Sequence, residues 1–309
     1  MCREARTLHG LAEHKTNQAY VPMAFIFAIA AAAAWGVAMT VAKPGARHLD
    51  PITFLRFRWV IALLIALIYG LLTNSLALPS PAAAGFVVIG SLLNAVIGWT
   101  LYLVAMQRAP AYQITALAST APLWGVLGAI LIVGEPLRWT ALAAAMLVVA
   151  GAFLLVNGNH KQRSSLTGTA LAIAAGILWG VSETVPMKLA TTMGITPATS
   201  IALFALVAIA GNTLAIPVLR KRLPKRVSRR GLVYAGISAV SGAFLGWFFW
   251  LNGIRLAPAS LLAPVRGSTL LFTFFFSVLF LHERPTRRAI GGVILVFGGV
   301  LLVSFGAIA

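Results

Sequence analysis

The amino-acid sequence predicts an all-α integral membrane protein with ten transmembrane helices in a 5+5 inverted repeat. Hydrophobic residues make up 60% of the 309 residues and charged residues 10%, whereas soluble chains average about 45–50% and 25%. The mean hydropathy is +0.93, which leaves too few polar side chains to cover a water-soluble core. Ten apolar stretches are each long enough to cross a bilayer, and the last five repeat features of the first five.

Each predicted span is a run of mostly apolar residues, since about 20 such residues cross the roughly 30 Å of hydrocarbon. The runs end at residues typical of turns, such as Lys43-Pro44-Gly45 and Gly134-Glu135-Pro136. Residues 1–21 are predicted to be a polar N-terminal tail, and the first apolar run is too long for a secretory signal. The ten predicted spans are 22–42, 54–73, 82–105, 111–133, 138–157, 166–187, 197–219, 231–253, 259–281 and 288–307.

The two halves of the chain repeat each other at a nearly constant offset. Trp179-Gly180 follows Trp35-Gly36 by 144 residues, and Trp247 follows Trp99 by 148. Ala257-Pro258-Ala259 follows Ala109-Pro110-Ala111 by the same 148 residues. We therefore divide the chain into a first five-helix repeat (22–157), a connecting loop (158–165) and a second repeat (166–307). An odd number of spans inverts the second repeat, and such carriers bind substrate between their repeats, near the bilayer midplane.

With these features the chain resembles the EamA-type members of the drug/metabolite transporter superfamily over roughly residues 22–306. The features that carry the resemblance are the Trp-Gly of each first helix, Arg56 opening helix 2, the Ala-Pro hairpins, Pro122, and the acidic turns at Glu135 and Glu283. The resemblance implies a ten-helix carrier of small metabolites, a class that includes amino-acid and drug exporters. It does not single out a substrate.

The basic residues predict the orientation in the membrane, because positive loops stay in the cytoplasm. When alternate loops are assigned to opposite faces, one face holds 17 Lys and Arg residues and the other holds 6. The richer face includes loop 220–230, which is therefore predicted to be cytoplasmic in the cell (inner) membrane. Both termini are then extracytoplasmic, whereas the family resemblance implies termini inside. Arg56 and Arg58 are expected to reach the headgroups from the start of helix 2.

Two charged residues fall inside predicted spans, where a charge is costly unless it faces a cavity or a partner. Glu183 lies in helix 6, one turn after Trp179, and Arg266 lies in helix 9, just after Pro264. As a substrate site, Arg266 would bind a carboxylate and Glu183 would meet an ammonium group or take up a coupling proton. The alternative is a structural ion pair, or two side chains that reach the interface.

Repeated aromatic residues form a second candidate set. Large amphipathic rings accept apolar or cationic substrate groups, but they also favour membrane interfaces and helix contacts, and both interpretations stay open. Two prolines near the interior charges, Pro186 and Pro264, are candidate gating bends. The aromatic candidates are Trp35, Trp179, Trp99, Tyr102, Trp247 and Trp250.

These features favour a secondary transporter that uses no ATP and exports amino acids or related compounds by alternating access. The chain has no GxxxxGK[ST] phosphate loop, and Cys2 is its single cysteine. We expect no enzyme activity, no cofactor, no metal and no nucleic-acid partner. The partners are a small molecule and the bilayer, and the repeat completes a two-sided bundle within one monomer. The alternatives are uptake of another small metabolite or of a drug-like cation, and a non-transporting membrane scaffold.

Overall fold

A computed structural model shows an all-α architecture and describes residues 2–106, 108, 114, 117–156, 165–214, 228–281 and 287–308. Eight helices in this part of the chain are long and apolar enough to cross a membrane, and two further apolar helices are shorter. The helices are α1 (Cys2–His48), α2 (Pro51–Leu72), α3 (81–106), α4 (Ala121–Val133), α5 (Trp139–Val156), α6 (Leu166–Thr192), α7 (Pro197–Leu214), α8 (Arg229–Leu256), α9 (259–281) and α10 (Arg287–Ile308).

Short polar residues begin several of these helices. The Asp50 carboxylate accepts a hydrogen bond from the Thr53 backbone N–H at 3.0 Å, and the Ser80 hydroxyl accepts one from Ala83 at 3.2 Å. Each cap satisfies a backbone donor that has no partner inside the helix. Gly134 ends α4 with a φ of 80°, a left-handed conformation that a side chain would disfavour.

Interruptions of the helices recur at equivalent positions of the two repeats. The middle of α3 is a π-helix over Leu92–Gly98, and the middle of α8 is a π-helix over Ala239–Gly246. In α9 a turn at Gly267 and Ser268 divides the helix, and residues 119–120, 148 positions earlier, form a turn before α4. The internal repeat therefore extends from the sequence to the backbone irregularities.

Each repeat packs its first helix against the third and fourth helices of the other repeat. Helix α1 contacts α8 and α9, and α6 contacts α3 and α4. The pairs α2 with α7 and α5 with α10 also join the two repeats. Close approach depends on glycine: a Cβ atom on Gly36 would lie 2.5 Å from Phe272, and one on Gly180 would lie 2.9 Å from Trp124. The helix pairing confirms the predicted fold class.

Helix α1 differs most from its predicted boundaries. The sequence pattern predicted that the first span ends near Lys43-Pro44-Gly45 and that residues 1–21 form a tail, whereas the helix runs from Cys2 to His48 through Pro44. A proline removes one backbone donor, and a helix tolerates this where its neighbours hold it in place. Gly45 supplies such packing, since it lies against Phe54 and Tyr234. Residues 157–164 and 215–227, with most of the two predicted loops, lie outside the described residues.

Candidate functional site

The two predicted interior charges form an ion pair between α6 and α9. Arg266 Nη2 donates a hydrogen bond to Glu183 Oε1 at 2.7 Å, and Arg266 Nε lies 2.5 Å from Oε2. The Glu183 side chain is 7% exposed and the Arg266 side chain 19%. Because Arg266 ends the first segment of α9, directly before the turn at Gly267, the pair lies where the helix is broken. The guanidinium therefore contacts both carboxylate oxygens, one through a charge-assisted hydrogen bond from Nη2 and the other through an ion-pair contact of Nε.

Two uncharged polar residues that were not predicted from the sequence complete this group. Asn94 Nδ2 donates to Glu183 Oε1 and to Ser182 Oγ, both at 3.2 Å. Asn94 lies in the π-helical segment of α3 and is buried, as is Ser182. Comparison of the two repeats could have identified both residues, because Asn94 is equivalent to Gly242 and Ser182 is equivalent to Ala38. A polar residue where the other repeat has a small one indicates a local requirement for hydrogen bonding.

The six aromatic candidates form two clusters of three rings at equivalent positions of the two repeats. In one cluster Trp35 lies 6.0 Å from Trp247 and 5.9 Å from Trp250, measured between ring centroids. In the other cluster Trp179 lies 5.2 Å from Trp99 and 5.1 Å from Tyr102. Each cluster joins a first helix of one repeat to the third helix of the other. The rings therefore hold the repeats together, and most of them are buried in that packing.

Indole N–H groups tie these clusters to the charged pair and to the π-helical segments. Trp35 Nε1 donates to the Gly242 carbonyl at 3.0 Å, and Trp179 Nε1 donates to the equivalent carbonyl of Asn94 at 3.3 Å. Trp250 Nε1 donates to the Glu183 carbonyl at 2.8 Å. These bonds fix the backbones from which Asn94 and Glu183 project.

One aromatic cluster also contacts the charged pair directly. The Arg266 guanidinium carbon lies 5.4 Å from the centroid of Trp35, within the range of a cation–π interaction. The structure thus brings together Glu183, Arg266 and Trp35, with Trp250 bonded to the Glu183 backbone. Trp179 is joined to this group by its hydrogen bond to the Asn94 carbonyl. The remaining rings contact Trp35 or Trp179: Trp247, Trp99 and Tyr102.

The two candidate gating prolines have different surroundings. Pro264 lies within the short segment Ala259–Arg266, and its carbonyl accepts from the Gly267 N–H at 3.0 Å in the turn that breaks α9. Pro186 is buried against Gly90, and α6 continues through it to Thr192. The gating role stays a prediction for both residues.

A second polar group, also not predicted from the sequence, closes the hairpin between α8 and α9. Glu135 accepts from the backbone N–H groups of Ala259 and Ser260 at 2.7 and 2.8 Å, which caps the start of α9. Lys188 Nζ donates to the carbonyls of Ile254 and Ala257 at 2.5 and 2.9 Å, which caps the end of α8. We call Glu135 and Lys188 the hairpin clamp. Opposite charges thus meet the two helix ends whose partial charges they complement.

A cavity of about 360 Å³ lies elsewhere, between α1, α8 and α9. Its lining is apolar except for Thr40 and the Tyr234 hydroxyl, and it contains none of the predicted site residues. It is lined by Val37, Thr40, Val41, Pro44, Tyr234, Ile237, Phe276 and Phe280.

Comparison with known proteins places this geometry in a family. The model of the EamA-like transporter family matches residues 22–157 and 166–305. The chain belongs to the EamA-like transporter family. This EamA-like transporter is 23% identical to an uncharacterized transporter of Archaeoglobus fulgidus over 218 residues, which are 70% of this chain and 74% of the relative. A solved crystal structure shares the fold with a TM-score of 0.77 at 19% identity, over 91% of this chain and 98% of the other. The protein is therefore a multi-pass membrane transporter.

Proposed function

We propose that the protein is a secondary carrier that exports amino acids or related zwitterions by alternating access around Glu183 and Arg266. The observation that carries the proposal is the buried ion pair at the broken helix α9, in contact with both repeats. A carrier of this kind draws on a gradient rather than on ATP. We further propose that it acts as a monomer in the cell (inner) membrane, with both termini outside and loop 220–230 in the cytoplasm.

The asymmetry between the repeats supports a role in binding rather than in folding. The first repeat has Met39 where the second has Glu183, and Ala118 where the second has Arg266. Helix α1, which contains Met39, packs against α8 and α9 as α6 packs against α3 and α4, although it has no charge at that position. Since the architecture forms without the charges in one repeat, their presence in the other favours a ligand that needs them.

The chemistry of the pair suits a substrate with both a carboxylate and an ammonium group. A buried charge that loses its partner is strongly destabilised, so the pair opens readily only to a ligand that supplies both opposite charges. A zwitterion does so: its carboxylate takes the planar guanidinium of Arg266, and its ammonium takes Glu183. Asn94 stays bonded to the carboxylate of Glu183 in this exchange and keeps it oriented. Uptake of a coupling proton by Glu183 would serve the return step.

Transport of a drug-like cation is the second candidate function. Aromatic faces bind cations, and the two three-ring clusters offer such faces. However, the Arg266 guanidinium already lies over Trp35. A zwitterion uses this arrangement, whereas a simple cation must displace the guanidinium, so the geometry favours the zwitterion.

Ligand-induced thermal stabilisation of the purified protein tests the proposal. The library contains amino acids, amines, nucleosides and organic acids, and each hit is followed into proteoliposomes for exchange of radiolabelled ligand. We expect a zwitterion to raise the unfolding midpoint of the wild type. Glu183→Gln and Arg266→Gln should each weaken its binding roughly ten- to hundredfold, because each loses one charge-assisted contact. Arg255→Gln, at an exposed arginine near the end of α8, is the matched control.

Two outcomes would contradict the proposal. If both variants fold, bind the zwitterion and exchange it like the wild type, the pair is structural. If only simple cations stabilise the protein and exchange across the membrane, the aromatic clusters and not the pair form the substrate site.

A further inference from the structure

Arg58 is a buried cation whose role the site described above does not explain. It lies in the apolar span Ile52–Leu72 of α2 and is 8% exposed, although its place near the start of the span predicted that it would reach the headgroups. Its Nε donates to the Ser238 carbonyl at 3.4 Å, a long hydrogen bond. The guanidinium carbon also lies 5.2 Å from the ring of Trp59, a contact that disperses positive charge without neutralising it.

The acids that the structure describes are all engaged elsewhere. The chain has six Asp and Glu residues, and the structure describes the side chains of three of them. Asp50 caps α2, Glu135 belongs to the hairpin clamp, and Glu183 pairs with Arg266. Among the described side chains, Arg58 therefore has no carboxylate partner. A buried cation in that state is costly unless a partner comes from outside the chain.

The Arg58 guanidinium lies close to Gly242, in the π-helical segment of α8. A Cβ atom on Gly242 would lie 2.5 Å from Ala38 Cβ and 3.0 Å from Arg58 Nη2. The equivalent residue in the first repeat is Asn94, which is the residue that orients Glu183. The two equivalent positions therefore have different neighbours: the amide of Asn94 contacts the carboxylate of Glu183, whereas Gly242 lies beside the guanidinium of Arg58.

We infer that Arg58 is an anion-binding residue that takes a carboxylate or phosphate oxygen, from a soluble metabolite or from a lipid headgroup, beside Gly242. The terminal nitrogens supply a planar fork of donors that fits either oxyanion. The inference is independent of the proposed function, because it concerns a cation on another helix and does not require Glu183 or Arg266.

Thermal unfolding of the full chain in nanodiscs tests this assignment. Discs of pure phosphatidylcholine are titrated with succinate, with inorganic phosphate and, as a neutral control, with succinamide, at matched ionic strength. Discs that contain phosphatidylglycerol provide the lipid arm. We expect an anion to raise the unfolding midpoint, and Arg58→Gln to raise the half-saturating concentration roughly ten- to hundredfold. Arg58→Lys should bind with intermediate strength because a point charge replaces the fork, and Arg255→Gln should match the wild type.

The titrations distinguish a soluble anion from a lipid headgroup, and they distinguish failure of this assignment from failure of the proposed zwitterion site. A response to succinate or phosphate in phosphatidylcholine assigns a soluble ligand, and a response to phosphatidylglycerol alone assigns a headgroup. In the Glu183→Gln, Arg266→Gln double variant the anion should still raise the unfolding midpoint. The anion site can therefore be tested even if the proposed zwitterion site is wrong. The assignment is overturned if no anion stabilises the wild type, if Arg58→Gln responds like the wild type, or if only the double variant loses the response. Where Arg58→Gln does not fold, an Arg58→Lys response equal to that of the wild type overturns it.

Discussion

At the scale of single residues, glycines determine how closely the two repeats approach. A Cβ atom on Gly246 would overlap Trp35 Nε1, and one on the equivalent Gly98 would lie 2.7 Å from Trp179 Nε1. Each tryptophan therefore needs a glycine opposite its N–H in order to reach the π-helical carbonyl. The requirement is local, since a Cβ atom on Gly298 in α10 would meet no other atom within 4 Å.

Substitution of one such glycine should be costly. We expect Gly246→Ala to destabilise the protein by roughly 1–3 kcal/mol, because overpacking forces a buried side chain or the backbone to shift. The measurement is thermal unfolding in detergent. Gly298→Ala is the matched control and should leave stability unchanged or slightly higher, as alanine favours the helix. Equal effects of the two substitutions would contradict the role assigned to Gly246.

A site residue could be predicted from the sequence when its side chain differed clearly from the apolar residues of its span. Glu183 and Arg266 could be found because charges inside apolar spans are conspicuous, and the structure joins them. Asn94 was missed because an amide in an apolar helix is less conspicuous, and its partner depends on the π-helical segment. Arg58 is expected to reach the headgroups because it lies near the start of its span, whereas the structure buries its side chain.

At the scale of helices, the hairpin clamp joins three separate segments. Glu135 follows α4 in the first repeat, whereas Lys188 and the hairpin between α8 and α9 belong to the second. Each clamp residue satisfies backbone groups that have no partner within their own helix. The sequence indicated a turn at Glu135 from its glycine and proline neighbours, but only the tertiary fold brings the start of α9 to the carboxylate.

Neutralisation of the clamp should loosen this hairpin. We expect Glu135→Gln to lower stability by about 1–2 kcal/mol, because an amide has one acceptor oxygen and leaves one N–H of α9 poorly paired. The unfolding midpoint and the protection of Ala259 and Ser260 from hydrogen exchange provide the measurement. Arg138→Gln, at an exposed residue three positions along, is the control. Unchanged protection at the start of α9 would show that the carboxylate is dispensable.

The number of helices could be predicted from the sequence, but the side of each helix that contacts a given partner could not be predicted in every case. Apolar runs and turn residues locate spans because the bilayer demands length and hydrophobicity. A π-helical turn holds an extra residue, so the residues beyond it are rotated by about 100° from a regular helix. Trp99 and Trp247 both lie directly after such a segment. Their ring partners therefore depend on an irregularity that hydrophobic periodicity does not reveal.

At the scale of the whole molecule, the sequence offsets predicted the inverted repeat, and the pairing of helices between repeats accounts for it. Every major interface described for α1, α2, α5 and α6 joins one repeat to the other. Neither repeat can therefore bury its own helices alone. The polar residues that differ between the two repeats lie together in one hydrogen-bonded group, which comprises Asn94, Ser182, Glu183 and Arg266.

The orientation of the bundle can be tested with the native Cys2, the single cysteine of the chain. The charge distribution predicts that Cys2 lies outside, so a membrane-impermeant maleimide should label it in intact cells. A Cys2→Ser variant with a cysteine appended after Ala309 should be labelled equally, because an even number of spans returns the chain to the same side. Labelling of both only after lysis would reverse the orientation, and labelling of one terminus alone would contradict ten spans.

The two equivalent indole bonds, Trp35 to Gly242 and Trp179 to Asn94, have a mechanical consequence. Both cross between the repeats, and two points define a line about which one rigid half can turn without breaking either bond. We expect that line to be the hinge axis of the rocking motion proposed for transport. Groups near it move little, whereas contacts far from it must open and close. The bonds from Ala259 and Ser260 to Glu135, which also join the two repeats, are therefore contacts whose opening we expect during such a motion.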